Sequence, residues 1–130
     1  MLILSVKWII YEKRMIHYDV AWYPKVSMLI PAFNEQRTIV ENVTHAINNT
    51  YPDFEIIVVN DGSTDQTLAL LIEAFELSKM IHFKMADAIP SEPVRRVFTS
   101  NRVKNLIVID KENGGKADAL NCAINASASD

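Results

Sequence analysis

Three short apolar runs, at residues 26–30, 55–59 and 105–109, stand out along the chain. They are rich in β-branched residues and have the length of strands buried on both faces, as parallel strands are. Pro31 lacks an amide hydrogen and is expected to end the first strand. The hydrophobic pattern therefore predicts three buried strands.

Between and after these runs, apolar residues recur at helical spacing. The pattern predicts helices over roughly 35–48 and over 116 to about 127, the second with Asp118, Asn121 and Asn125 on one polar stripe. Ser63 and Gln66 match a capping box that would open another helix continuing to Phe75.

Alternating strands and helices are typical of an α/β fold with a mainly parallel sheet. Ligands of such sheets bind beyond the carboxyl ends of the strands. Three polar turns fall there, at residues 31–35, 60–63 and 110–116, and are expected to line one crevice. Residues 79–104 give a blurred pattern, in which 94–98 form at most an edge strand.

Residues 1–23 are interpreted as an apolar N-terminal segment and linker before a domain at 24–130. The run at 1–11 is too short to span a bilayer, which takes about 20 residues. It is either a buried or partner-binding element, or the end of a transmembrane helix with 12–14 as its basic cytoplasmic flank.

The chain has 130 residues, 49% of them hydrophobic, and a net charge of −3. It can bury an ordinary core. It lacks the broad cationic field that would attract nucleic acids. Cys122 is the single cysteine and the three histidines are scattered, so the sequence suggests neither a disulfide nor a zinc site. A cytoplasmic, reducing setting fits best.

Each polar turn allows a chemical and a structural interpretation. Asp61 could bond a base or sugar hydroxyl, with Gly62 allowing the tight turn, or the pair could simply form a turn. Asn34 and Glu35 could serve a ligand, or only cap and charge the start of a helix. Phe33 could stack on a base or pack internally.

The last turn, Asn113 to Lys116, could present backbone amides and an ammonium to a diphosphate. Its glycine pair is a weak signal, because the spacing of a full phosphate loop is absent. Cys122 is expected to be a small buried residue, since no histidine partner is near it in sequence.

Together, three segments resemble the glycosyltransferase family 2 catalytic domain, which has the GT-A, Rossmann-like fold. Residues 26–35 read VSMLIPAFNE, 56–65 read IIVVNDGSTD and 113–121 read NGGKADALN. The resemblance covers roughly 24–130. It implies an inverting transfer of a sugar from a nucleotide-diphosphate donor, usually a UDP-sugar, to an acceptor hydroxyl.

The resemblance also implies roles for individual residues. Pro31, Ala32 and Phe33 would border the uracil, Glu35 would help to hold the nucleoside, and Asp61 would bond the base or ribose. Gly115 and Lys116 would lie near the ribose and diphosphate. Phe33 stands where the family often has Tyr, and Asn60 where many members have a second Asp.

The family's Asp-x-Asp motif, which holds Mg²⁺ or Mn²⁺, and its general base are expected beyond Asp130. The metal offsets charge on the leaving diphosphate and the base takes the acceptor proton. The chain is therefore interpreted as the nucleotide-binding half of a longer enzyme, inactive alone.

Membrane-bound relatives that build polysaccharides, such as poly-N-acetylglucosamine synthases, have a similar layout, which implies a saccharide acceptor and a place at the cytoplasmic face of the membrane. Two alternatives remain open: a sugar-phosphate nucleotidyltransferase, whose glycine-rich loop is replaced here by 31–35, and a non-catalytic nucleotide-binding or interaction module.

Overall fold

A computed structural model describes residues 2–4 and 23–127, which form one six-stranded sheet with helices against it. The elements in chain order are β1 (Leu2–Leu4), β2 (Val26–Ala32), α1 (Ile39–Ile47), β3 (Phe54–Asp61), α2 (Thr67–Ala74), β4 (Leu77–Lys79), β5 (Val94–Ser100), β6 (Leu106–Lys111) and α3 (Lys116–Ala126). The α/β fold class expected for a GT-A, Rossmann-like domain is confirmed. Most of the expected N-terminal segment, residues 5–22, lies outside the described residues.

The sheet has the strand order β1-β2-β3-β6-β5-β4. Its centre is parallel, because β3 pairs in parallel with both β2 and β6. Antiparallel strands flank this centre, β1 on one side and β5 with β4 on the other. The three apolar runs thus form the three parallel strands, whose carboxyl ends meet where Asn60 lies opposite both Ala32 and Asp110.

Alternation along each strand divides the core into two layers. Ile56 and Val58 of β3 pack in a buried cluster with residues of α1 and α2. Ile57 and Val59 of the same strand pack with Ala119, Cys122 and other residues of α3. Helices on both faces explain why the central strands are continuously apolar.

The structure corrects the prediction that Pro31 ends the first strand, because β2 continues through Ala32. β1 pairs only with residues 27–29, so none of the described residues forms a strand beside Pro31 on that side. On the other side Pro31 is in register with Val59 of β3. A proline is tolerated in a strand where no neighbouring strand needs its amide hydrogen.

The structure also corrects the prediction for residues 94–98. β5 is an interior strand between β6 and β4, antiparallel to both. Its hydrophobic signal is weak because only Val97 and Phe98 are buried, while residues 94–96 are exposed.

Two helix starts differ from the predictions. α1 begins at Ile39, after a turn in which the backbone N–H groups of Thr38 and Ile39 donate to the Glu35 carbonyl. The predicted capping box at Ser63 is wrong, because α2 begins at Thr67 and Ser63 does not cap it. Asp65 Oδ1 instead accepts the Thr67 backbone N–H at 2.9 Å.

The polar stripe of α3 contacts the loop of residues 80–93, which the sequence left undetermined. The Asn125 amide donates to the Ile89 carbonyl at 2.7 Å and accepts the Ile89 N–H at 3.1 Å. Asp118 accepts the Glu92 backbone N–H at 3.0 Å. These side chains hold a loop with little regular structure against the helix, instead of facing water.

Candidate functional site

A cavity of about 1020 Å³ lies at the carboxyl ends of β2 and β3. It is lined by every site residue expected from the sequence except Gly62, namely Pro31, Ala32, Phe33, Glu35, Asp61, Gly115 and Lys116. The fold therefore brings residues of three separate turns to one crevice, as expected for a parallel sheet.

The first turn offers two unoccupied groups to this cavity. The Phe33 ring is 50% exposed, which is unusual for a large apolar side chain that serves only packing. The Glu35 carboxylate makes no hydrogen bond or ion pair with the described residues, while its backbone N–H donates to Thr67 Oγ1 at 2.9 Å. An aromatic face and a carboxylate are thus available on one rim.

Asn34 ties the first turn to the second. Its backbone is in the left-handed region, at φ 50°, which Asn tolerates better than most residues. Its Oδ1 accepts the backbone N–H groups of Thr64 at 2.8 Å and Asp65 at 3.3 Å. The interpretation of Asn34 as the cap of α1 is therefore wrong, as is that of Glu35 as a first-turn acid of α1.

Asp61 ends β3 and is almost completely buried, at 3% exposure. Its Oδ1 accepts the Gly114 N–H at 3.0 Å and the Lys111 ammonium at 2.7 Å. Its Oδ2 accepts the Gly115 N–H at 2.9 Å, and the Asn113 amide donates to its carbonyl at 2.8 Å. The carboxylate expected to meet a ligand therefore also holds the third turn in place.

Lys111 belongs to the candidate site but was not singled out from the sequence, which placed it in a turn. It belongs to β6 and is completely buried, beside Asp61 in register and with its ammonium 2.5 Å from Asp118 Oδ2. Burial disfavours the charged form of Lys111 and so lowers its pKa, but the hydrogen bonds to Asp118 and Asp61 have the larger effect. The pKa of Lys111 is therefore raised. The bond from Lys111 in turn lowers the pKa of Asp118.

Two glycines shape the second and third turns. Gly62 has φ 66°, and a Cβ there would lie 2.7 Å from the Asn113 backbone nitrogen, so the close approach of the two turns requires glycine. Gly115, with φ 95°, precedes α3 and has open space around it. The exposed Lys116 follows as the first residue of the helix, where backbone N–H groups are unpaired.

Helix α1 supplies a wall that the sequence analysis did not predict. Asn42 and His45, three residues apart on the exposed face of the helix, line the same cavity. Their spacing was visible in the sequence, but nothing there indicated that this face of α1 would border the crevice.

A second polar cluster lies at the same strand ends. Arg96 Nη2 is 2.6 Å from Asp110 Oδ2, and the Asn60 amide donates to Asp110 Oδ1 at 2.9 Å. The Oδ1 of Asn60 is buried without a hydrogen-bond partner among the described residues. Asn60 therefore keeps the hydrogen bond to Asp110 without placing a second negative charge beside it.

Three carboxylates at or near the strand ends already face cationic side chains. Asp61 and Asp118 face Lys111, and Asp110 faces Arg96. Among residues 2–4 and 23–127, no three His, Cys, Asp or Glu side chains cluster closely enough to hold a metal ion. This part of the chain by itself does not fit the divalent cation that the resemblance implies. In the same ranges, no helix is long and apolar enough to cross a membrane.

Comparison with known proteins finds a family match that includes two of these turns. Residues 27–87 match the family described as Glycosyl transferase family 2, a range that includes the first two turns of the cavity. No solved structure matches the chain significantly.

The curated relatives that match the chain include proteins named as glycosyltransferases and as a polysaccharide synthase. The chain is 48% identical over 58 residues to an uncharacterized glycosyltransferase of Haemophilus influenzae, covering 45% of this chain and 18% of the relative. It is 34% identical over 101 residues to an uncharacterized glycosyltransferase of Rickettsia prowazekii, covering 78% and 23%. It is 34% identical over 62 residues to a poly-beta-1,6-N-acetyl-D-glucosamine synthase of Staphylococcus epidermidis, covering 48% and 14%.

The chain thus matches less than a quarter of the length of each of these relatives. The longest of these matches extends well beyond the range of the family match. Residues 27–87, with their two cavity-lining turns, are thus similar to glycosyl transferase family 2.

Proposed function

We propose that this chain is the nucleotide-binding part of an inverting glycosyltransferase that uses a nucleotide-diphosphate sugar, of the UDP class, and a saccharide hydroxyl as acceptor. The observation that carries the proposal is the cavity at the carboxyl ends of β2 and β3, into which three turns bring an aromatic ring, carboxylates and a lysine. The name of the Staphylococcus relative makes UDP-N-acetylglucosamine the first donor to test.

Each end of the cavity suits a different part of such a donor. The exposed ring of Phe33 offers a stacking surface for a planar base. The Glu35 carboxylate and Asp61 Oδ2 can accept hydrogen bonds from the base or from ribose hydroxyls. Lys116, at the start of α3, offers an ammonium and unpaired backbone N–H groups to the diphosphate.

These residues would bind the nucleotide-sugar donor and orient it. Holding the nucleoside on one rim and the diphosphate on the other fixes the direction in which the sugar projects. A divalent cation would offset the charge that grows on the leaving diphosphate. Because the described residues do not fit that cation, we expect the chain alone to bind nucleotide without transferring sugar.

Titration calorimetry with UDP and with uridine tests the proposal. We expect the folded chain to bind UDP weakly and with little dependence on Mn²⁺. Lys116→Met should weaken UDP binding about tenfold or more and leave uridine binding almost unchanged, because only UDP carries the diphosphate. Lys104→Met, at an exposed lysine outside the cavity, is the matched control.

A folded wild-type chain that binds neither ligand would contradict the proposal. Equal losses of UDP and uridine binding in Lys116→Met would instead contradict the role of Lys116. Measurable transfer from UDP-N-acetylglucosamine to water or saccharide by the chain alone would contradict its expected inactivity.

Association of the parent protein with the cytoplasmic face of the membrane is part of the same proposal. It is supported by the apolar run at residues 1–11 and by the Staphylococcus relative, whose name describes polysaccharide synthesis. Fractionation of the natural host tests it, and recovery of the parent protein entirely in the supernatant would contradict it.

A further inference from the structure

A completely buried lysine between two carboxylates is the least expected feature of this site. The Lys111 ammonium donates to Asp61 Oδ1 at 2.7 Å, to Asp118 Oδ2 at 2.5 Å and to the Glu112 carbonyl at 2.6 Å. Its three N–H donors are thereby satisfied inside the protein. Lys111 is therefore not available to contact a ligand, and any effect it has on the site acts through its partners.

The first effect concerns the two oxygens of Asp61. Oδ1 receives both the Lys111 ammonium and the Gly114 N–H. Oδ2 receives the Gly115 N–H at 2.9 Å and only a long contact of 3.4 Å from the Asn113 amide. Oδ2 is thus the oxygen with capacity left to accept a hydrogen bond from a ligand.

The second effect concerns the turn at residues 113–115. Its amides are held by the Asp61 carboxylate, whose Oδ1 also accepts the Lys111 ammonium. Lys116 follows this turn directly, and Asp118 connects Lys111 to the first turn of α3. One buried cation thus links the end of β3 to the start of the helix beside the cavity.

We propose that Lys111 is the positioning residue of the nucleotide site, directing Asp61 Oδ2 toward the nucleoside and holding Gly115 and Lys116 for the diphosphate. This inference rests on the proposed function. The role of Lys111 in it is electrostatic as well as structural. Without Lys111, two facing carboxylates would lie beside the place where a diphosphate binds.

The expected signature is a pH dependence of binding in Lys111→Met beyond that of wild type. The titratable groups around Lys111 are Asp61 of β3, Asp118 and the neutral thiol of Cys122 on α3, and Glu92, whose side chain passes close to Gly114. When two carboxylates face each other without a cation, one takes up a proton well above its ordinary pKa. Protonation would remove the excess charge and partly restore binding.

The test measures the affinity of UDP-N-acetylglucosamine, whose diphosphate does not titrate in the range used, for wild type and Lys111→Met. We expect the variant to bind about tenfold more weakly or worse near pH 8, and to come within about threefold of wild type near pH 5.5. Lys104→Met should match wild type at both pH values. A second variant, Lys111→Met with Asp118→Asn, removes one carboxylate as well and should recover most of the affinity near pH 8.

Unchanged affinity in Lys111→Met would overturn the inference, and so would a loss of the same size at every pH, which a purely structural role produces. Absence of binding by wild type counts against the proposed function. Binding by wild type that Lys111→Met leaves unaltered counts against this inference alone.

A measurement on the ligand-free wild type decides the matter if the variants do not fold. Because Asp61, paired with Lys111, accepts the Gly114 and Gly115 N–H groups, both amides should be protected from hydrogen exchange in nuclear magnetic resonance spectra. Rapid exchange of either amide would show that this turn is not held by Asp61 and would overturn the inference.

Discussion

Gly62 lies so close to Asn113 that a Cβ at position 62 would come within 2.8 Å of the Asn113 Cβ and 2.7 Å of its backbone nitrogen. These residues belong to different turns, and Asn113 also donates from its side chain to the Asp61 carbonyl. The contact therefore fixes the distance between the second and third turns of the candidate site.

Gly62→Ala should accordingly damage both stability and binding. The left-handed backbone and the contact with Asn113 together should lower the free energy of unfolding by about 1–3 kcal/mol. Chemical denaturation measures this change, and UDP titration measures the accompanying loss of affinity.

Gly115→Ala tests backbone strain alone, because Gly115 has φ 95° and ψ 170°, a conformation almost restricted to glycine, but no atom within 4 Å of an added Cβ. It should lower the free energy of unfolding through backbone strain alone. A Gly62→Ala variant with unchanged unfolding free energy and unchanged UDP affinity would show that the contact with Asn113 is unimportant.

Asn34→Ala should separate the first and second turns. It removes the acceptor of the Thr64 and Asp65 backbone N–H groups and places Ala in the left-handed region. We expect a loss of about 1–2 kcal/mol in the free energy of unfolding, measured by urea denaturation. Asn34→Asp keeps the acceptor and should retain most of the stability; a loss as large as that of Asn34→Ala would contradict this account.

The parallel centre of the fold could be predicted because its three strands are covered on both faces. Burial on both faces makes segments such as 56–59 continuously apolar, and this local signal can be interpreted without long-range information. The turns could be located for the same reason, since each follows an apolar run. β5 gave a weak signal because only two of its side chains are buried.

Lys111 could not be predicted, because its burial depends on partners far along the chain. Asp61 is 50 residues away, and neither carboxylate marks Lys111 as buried until the fold brings them together. A lysine just after an apolar run is ordinarily an exposed turn residue. The same holds for Asn125, whose partner Ile89 lies in the loop that the sequence left undetermined.

The contribution of Cys122 to folding stability should depend on pH, although Cys122 does not line the cavity. Burial raises the pKa of its thiol from 9.0 to about 11, while the unfolded chain keeps the lower value. A raised pKa favours the protonated, folded state, so this contribution is complete below about pH 9 and is lost as the pH rises toward about 11.

The free energy of unfolding should therefore decline more steeply between about pH 9 and pH 11 in wild type than in Cys122→Ala. The comparison isolates the thiol, because every other titratable group is present in both proteins. The folded thiol should also react slowly with a thiol reagent near pH 8. Parallel stability curves, or rapid labelling of the folded chain, would contradict this prediction.

Phe33 should contribute to ligand binding and little to stability, because half of its surface is exposed and it lines the cavity. Stacking of an aromatic ring on a base is worth about 1–3 kcal/mol, so Phe33→Ala should weaken uridine and UDP binding by about fivefold to 150-fold. Phe33→Tyr keeps the ring and should bind nearly as wild type does. Ile81→Ala, at a residue 89% exposed and outside the cavity, controls for loss of surface apolar area. If Phe33→Ala lowered the unfolding free energy substantially and left uridine binding unchanged, the ring would be a packing residue rather than a surface for the base.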